Sequence, residues 1–395
     1  MTNQNTSMTQ ASIPPGRRPR KHRPGKRETG KRRTSKRGTS KHGTVLVLAA
    51  GSAAVCGLLA GCGATGATAG TDQAAQGGQG QSITLYSGQH EQTTNGLVAA
   101  FEKQTGITVN VRNDDEDTLA NLIAVQGSHT PGDVFFTENS PPLEFLLQKG
   151  LLSKVSPATL ADTPARYNSP DGNWVGVSAR VSVIVYNPSL ITKNQLPTSV
   201  MQLADPKYQG KLGIAPGETD FQPIVTSVTR TYGRTAALSW LEKVKSNGAS
   251  HNFPDNETLV SDVNRGQVAF GVINEYYWYR LKAEIGAGAM HSQLAYFAPH
   301  DPGYVIDVSG AGVLKDSKHQ AAAQKFLAFL VSKKGEEIIG RAGGDEQSYE
   351  YPIGSGVTIS APETPFNQLQ PNPITIAQLG DGAAAIDLLR QVGLQ

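Results

Sequence analysis

Cysteine is nearly missing from this chain: its 395 residues hold two, Cys56 and Cys62, both near the N-terminus. No disulfide, thiolate metal site or dithiol redox pair can therefore organise the rest. Acids are almost missing from the first 60 residues, where Glu28 stands alone. From Cys62 onward there is no Gly-x-Ser-x-Gly elbow, His-Glu-x-x-His helix or phosphate-binding P-loop. That leaves a secreted hydrolase as an outside alternative without a motif. Long apolar runs are missing too. The longest, Val45 to Ala60, falls short of the roughly 20 residues that span a bilayer.

What is present is unevenly distributed. Thirteen of the 36 Lys+Arg lie between Arg17 and Lys41. The apolar run follows directly and ends Leu59-Ala60-Gly61-Cys62. A basic segment, a short apolar segment and small residues before a cysteine form a bacterial lipoprotein signal, so residues 1–61 are expected to be a leader. A nucleic-acid arm is the other reading of a basic run, and the apolar segment behind it argues against that. Cys62 would carry the lipid, diacylation being enough for stable anchoring at the extracytoplasmic face of the membrane. Residues 62–81, rich in Gly, Ala, Thr and Gln, read as a flexible tether. With the 13 bases and Glu28 set aside, 23 basic and 32 acidic residues remain, a net charge of −9. An acidic exported chain has no feature suited to nucleic acid.

The pattern beyond the tether alternates. Ser82 to Ser87 reads as a strand, the segment with Leu97, Val98 and Phe101 as a helix stopped by Gly106, and Ile107 to Val111 as a second strand. A helix over Thr118 to Val125, a strand over Asp133 to Thr137 and a helix over Pro141 to Leu152 follow. After a β-branched run, Val181 to Tyr186, a second alternation begins: strand Lys211 to Ala215, a helix through Trp240 and Leu241, and strand 268–273. Tyr304 to Val308 and a helix with Phe326, Leu327 and Leu330 then close the pattern. This alternation predicts an α/β fold of two lobes, each a mostly parallel sheet flanked by helices and joined by a two-strand hinge. The expected lobes are 82–181 with 306–360, and 182–305 with 361–395.

The densest chemistry lies at Asn274-Glu275-Tyr276-Tyr277-Trp278-Tyr279, where three of twelve tyrosines fall within four residues after a buried-type strand. Adjacent phenols point to opposite faces of a strand, but at a strand-to-helix junction both can lean into one cleft. A packing cluster with Trp278 is the plain alternative, and Tyr279 is read as packing. Taken alone, His90 reads as a loop residue and Glu138 as a helix cap ahead of Pro141. His129, His251, His291, His300 and His319 stand in no motif and read as surface residues.

Four motifs together give a likeness: Leu85-Tyr86-Ser87-Gly88-Gln89-His90, Gly132-Asp133-Val134-Phe135-Phe136-Thr137-Glu138, Val177-Ser178-Ala179-Arg180, and Ile273-Asn274-Glu275-Tyr276-Tyr277-Trp278. From about Ser82 to Gln395 the chain resembles ferric-ion-binding proteins, the class II periplasmic-binding-protein-like receptors of iron ABC transporters. The resemblance implies iron ligands at His90, Glu138, Tyr276 and Tyr277, and anion contacts at Asn274 and, upstream, Asn256. It also implies a permease and ATPase as partners, a monomer, and no catalytic residue.

The residue chemistry is compatible. Ferric iron takes hard oxygen donors and tolerates imidazole. One carboxylate, one imidazole and two phenolates leave two octahedral positions for water or a synergistic anion such as carbonate or phosphate. One stretch departs from the family's small, anion-binding turn: Pro216-Gly217-Glu218-Thr219-Asp220-Phe221. Two carboxylates there repel a phosphate-like anion. Either Thr219, with help from Arg180, holds carbonate, or Glu218 or Asp220 takes the metal directly. A related receptor for an organic ligand, such as a polyamine, thiamine or a phosphonate, is the competing reading, with the tyrosines as stacking walls.

Overall fold

The computed structural model describes residues 81–395 apart from 249, 341–347, 355, 358 and 360–363. The expected leader, Cys62 and the tether up to residue 80 lie outside the described residues. Among those described, no helix is long and apolar enough to cross a membrane.

Nine strands are found in the described residues: β1 (Ser82–Ser87), β2 (Thr108–Asn113), β3 (Val134–Thr137), β4 (Val175–Tyr186), β5 (Leu212–Gly213), β6 (Phe270–Asn274), β7 (Gln293–Ala295), β8 (Ile306–Val313) and β9 (Tyr351–Pro352). Their path runs β2-β1-β3-β8-β4-β6-β5, with β7 and β9 also paired to β4. The α/β class is as expected, but the sheet is mixed. β1 runs parallel to both β2 and β3, and β5 parallel to β6. β8 is antiparallel to β3 and to β4, and β4 antiparallel to β6. The reason is topological: β4 carries the chain out of the first alternation and β8 brings it back, so the two run in opposite senses.

Burial explains the segments. In β1, Ile83 and Leu85 face a core formed with Leu97 and Phe101 of helix Glu91–Thr105 and Phe326 of helix Gln320–Leu330; Tyr86 points to the other face. Phe101 and Phe326 meet edge-on at 5.0 Å between centroids. Helix Glu91–Thr105 stops at Gly106, whose φ of 70° a residue with Cβ adopts only with strain. β4 is buried at all twelve positions, and its second half, Val181 to Tyr186, carries the β-branched run. Its partners change along its length: Val175 to Val181 pair with β8, and Ser182 to Tyr186 with β6.

Several elements differ from the sequence pattern. The expected strand Lys211 to Ala215 contracts to two paired residues, because Gly210 (φ 70°) and Pro216 flank it with turns. The expected helix to Leu152 ends at Gln148, just before Gly150 at φ 67°. The expected helix through Trp240 and Leu241 is Arg234–Asn247, and a further helix, Phe221–Tyr232, precedes it across Gly233 at φ 84°. β8 extends to Val313 through Ser309-Gly310-Ala311-Gly312, which resembles a loop in composition. Gly310 is needed there, since a Cβ would stand 2.7 Å from Leu143 and 3.1 Å from the Val175 carbonyl.

Candidate metal centre

β1 and β3 are parallel neighbours, with Ser87 opposite Phe136, so the segments leaving their C-terminal ends emerge side by side. His90 follows β1 by three residues and Glu138 follows β3 by one. Ligand sites in α/β sheets favour this end of the strands. Gly88 permits the approach: a Cβ there would overlap the backbone of Glu116. Glu116, almost fully buried, accepts from the Glu138 and Asn139 amides at 2.8 and 2.9 Å and from Asn139 Nδ2 at 2.9 Å. It thereby fixes the turn that presents Glu138. The cap of helix Pro141–Gln148 is Ser140, not Glu138, and Ser140 Oγ donates to Asp307 at 2.6 Å.

The tyrosines arrive from β6. Asn274 is extended and caps helix Glu275–Ile285, so Tyr276 and Tyr277 occupy the first turn. Glu275 anchors that turn by accepting from the Val181 amide at 2.6 Å. The two phenol rings lie 4.2 Å apart. Tyr276 is wholly buried; its hydroxyl donates to Glu138 Oε1 at 2.8 Å and lies 3.2 Å from His90 Nε2. His90 Nε2 also pairs with Glu138 Oε1, and the His90 ring meets both tyrosine rings edge-on at 5.3 and 5.6 Å. The four residues implied as ligands, 187 positions apart at the extremes, thus form one contact cluster.

Asp220 joins them. Its Oδ1 accepts from Asn139 at 2.9 Å and its Oδ2 from Asn256 at 3.1 Å, with the Tyr276 hydroxyl 3.5 Å away. Asn274 lines one small cavity of about 10 Å³ with Asp220 and Asn256. Glu218 is half-buried one turn away, near enough to raise its neighbours' pKa values. Thr219 is buried between the two acids. Arg180, expected to help an anion, is fully buried with Nη2 3.0 Å from Glu350 Oε2, and it lies over the Tyr276 ring at 5.5 Å. The other aromatic and histidine residues behave as packing or surface: Tyr279 stacks on Tyr349 at 6.2 Å, His129, His291, His300 and His319 are exposed, and His251, expected at the surface, is half-buried and stacks on Phe253 at 6.4 Å.

The electrostatics are those of a crowded anionic cluster with one cation. Burial raises the Glu138 carboxyl, but His90, Arg180 and the Tyr276 hydroxyl together hold it at about 2. Burial and the Glu138 charge lift Asp220 to about 6. Burial, then Asp220 and Glu138, lift Glu218 to about 9. Burial followed by the Asp220 and Glu138 charges pushes both phenols well above 10. Among the described residues no set of His, Cys, Asp and Glu alone is placed to hold a metal; a centre here depends on the phenols. One imidazole, two phenols and two carboxylates form a hard donor set suited to a highly charged cation.

Residues 87–337 match the family described as bacterial extracellular solute-binding protein. The chain belongs to that family. As a solute-binding protein it serves transport, and it is not an enzyme. Over 322 residues it is 36% identical to the Fe(3+)-binding periplasmic protein of Serratia marcescens, covering 82% of this chain and 93% of that one. It is 31% identical to the major ferric iron-binding protein of Neisseria meningitidis over 315 residues, 79% of this chain and 93% of the relative. Iron-bound HitA from Pseudomonas aeruginosa shares its fold with a TM-score of 0.74 and 38% identity, over 79% of this chain and 99% of that structure. The fold is accordingly the periplasmic-binding-protein-like one of ferric-binding-protein structures. Trichodesmium FutA, solved with iron and citrate, superposes at 0.68 with 29% identity, over 80% of this chain and all of that one.

Glu116, Asn139 and Glu350 hold residues of this cluster in place, and the sequence pattern does not single them out. Glu116 sits in Asp114-Asp115-Glu116-Asp117, which reads as a solvated acidic run. Glu350 lies 170 residues from the arginine it neutralises. Neither has a local signal.

Proposed function

We propose that this chain is a lipid-anchored, extracytoplasmic receptor that binds ferric iron between two lobes and delivers it to an ABC permease and its ATPase. His90, Glu138, Tyr276 and Tyr277 are the iron ligands in this reading, with Asp220 as an additional carboxylate donor. Cys62 carries the lipid. The observation that carries the reading is the convergence of the Tyr276 hydroxyl on Glu138 at 2.8 Å and His90 at 3.2 Å, beside a second phenol.

Two lobes are supported by the change of partners along β4. Its pairing passes from β8 to β6 between Val181 and Ser182, and β8 begins at Ile306. The described residues form one compact unit, so the division rests on this pairing. His90 and Glu138 would come from one lobe and the tyrosines and Asp220 from the other, so bound iron would favour the closed arrangement. One chain supplies every ligand, which is compatible with a monomer. Asp220 already occupies the region expected for an anion, and Glu218, raised to about 9, is protonated at neutral pH and leaves Asp220 as the charged acid of that turn. This favours direct carboxylate coordination over phosphate.

The test is optical. Ferric loading of the purified chain should produce a visible phenolate-to-iron band that disappears in the Tyr276→Phe, Tyr277→Phe double variant. A chain that stays colourless with ferric salt in excess would refute the ferric reading and favour an organic cation in its place.

A further inference from the structure

A second set of contacts crosses the mouth of the cluster on its His90 side. Of the four proposed ligands, His90 has the most exposed side chain, at 15%; Tyr276 and Tyr277 are enclosed. Its Nε2 faces Glu138 and Tyr276. The other ring nitrogen, Nδ1, faces Glu257 Oε1 at 3.9 Å. The same oxygen lies 3.9 Å from Arg280 Nη1, a buried donor with no hydrogen-bond partner among the described residues. Arg280 Nη2 donates to Gln92 Oε1 at 2.9 Å.

The three residues come from three elements that also carry the proposed site. Gln92 is two residues beyond His90 in helix Glu91–Thr105. Glu257 follows Asn256 in the first turn of helix Asn256–Asn264. Arg280 is one turn beyond Tyr276 and Tyr277 in helix Glu275–Ile285. An open groove of about 580 Å³, lined by Gln92, Glu257, Tyr277 and Arg280 among others, runs along their outer side. A cation leaving on the His90 side has to pass these groups.

We propose that Glu257 and Arg280 are positioning residues for the metal site: Glu257 accepts the Nδ1 proton of His90 while Nε2 faces iron, and Arg280 holds Glu257 and ties the tyrosine helix to Gln92. The strap rests on the ferric reading above and extends it to the rate of release. A ligating imidazole needs its second nitrogen fixed, and such outer partners typically govern affinity. Arg280 suits this better than lysine, since its fork can serve Gln92 from one nitrogen and turn the other to Glu257.

The experiment uses the ferric-loaded chain, challenged with excess EDTA, with release followed as decay of the visible band. Glu257→Ala and Arg280→Ala should each release iron about tenfold faster, whereas Glu257→Gln, which keeps an acceptor, should stay within about threefold of wild type. Melting of the iron-free proteins is recorded alongside. Gln92 is exposed, so Gln92→Ala is expected to fold normally. It should speed release in the wild-type background and add nothing in the Arg280→Ala background. A wild-type chain that loads, with Glu257→Ala releasing at the wild-type rate or with Gln92→Ala and Arg280→Ala effects simply adding, overturns the strap alone. A wild-type chain that takes up no ferric iron overturns the strap together with the ferric reading.

Discussion

Asp220→Asn separates the two things Asp220 does. In the iron-free protein its carboxylate is costly: burial and the Glu138 charge raise it from 3.8 to about 6. The unfolded chain therefore loses this proton at lower pH than the native one, and native stability falls as pH rises through the interval from 3.8 to about 6. The penalty is absent below that interval and complete above it. A difference of about two pH units corresponds to about 3 kcal/mol. Asparagine removes this pH-dependent part. It also introduces a misfit, because both Asp220 oxygens accept from amide NH₂ groups, of Asn139 and Asn256. One asparagine cannot accept from both through oxygen, and the unmatched donors cost about 1–3 kcal/mol at every pH. Denaturant unfolding of the iron-free proteins should find the variant less stable than wild type at pH 4 and equal or more stable at pH 7.5. The difference between the two proteins should move by about 3 kcal/mol across that range. Iron affinity at pH 7.5, measured by competition with citrate, should fall in the same variant. Equal stability differences at pH 4 and 7.5 would refute the buried-charge account, and undiminished iron affinity would remove Asp220 from the ligand set.

Arg180→Ala leaves Glu350 buried without its guanidinium, and loss of one partner from a buried pair should destabilise the fold by about 3–5 kcal/mol in urea unfolding. Phosphate should not raise iron affinity in a titration at pH 7.5 with and without it, because the Asp220 carboxylate sets negative charge where that anion would bind; a phosphate-dependent gain would contradict this. Both phenols are held well above 10 by burial and by Asp220 and Glu138, so both protons must leave on ferric binding. Affinity should then fall by about 100-fold for each pH unit lowered, near neutrality, with two protons counted by calorimetry in buffers of different ionisation enthalpy.

The parts of this fold that were legible in sequence are those whose signal is local. β3 and β6 are short apolar runs and β1 alternates polar with apolar residues, and the proposed ligands stand within three residues of their ends. The family likeness of the motifs at those ends is what implies His90, Glu138 and the tyrosine pair; taken alone, His90 reads as a loop residue and Glu138 as a helix cap. β8 was only half legible, since Ser309-Gly310-Ala311-Gly312 has loop composition; Gly310 is there because Leu143 and the Val175 carbonyl press against the strand, and Gly312 packs under Leu152. The supports were illegible for the opposite reason. Glu116 is an acid in an acidic run, and nothing in its surroundings along the chain says that it alone turns inward to hold Glu138 and Asn139. The mixed sense of the sheet was also hidden, because strand direction follows from the crossings at β4 and β8 and leaves no mark on residue pattern.

The cluster's charge ties these observations to one mechanism. Without a cation, Glu138 keeps its charge through His90 and Arg180, while Asp220, Glu218 and the two phenols are all shifted toward their protonated forms. Protons therefore occupy the positions that a trivalent cation would neutralise. Iron uptake in this arrangement is an exchange of cation for protons, with Glu116 holding the Glu138 turn and Asn139 and Asn256 holding Asp220 once the lobes are closed. It follows that affinity and proton release are two readings of the same equilibrium. A variant that lowers one without the other would have to act elsewhere, on the strap at the His90 edge or on the closing of the lobes.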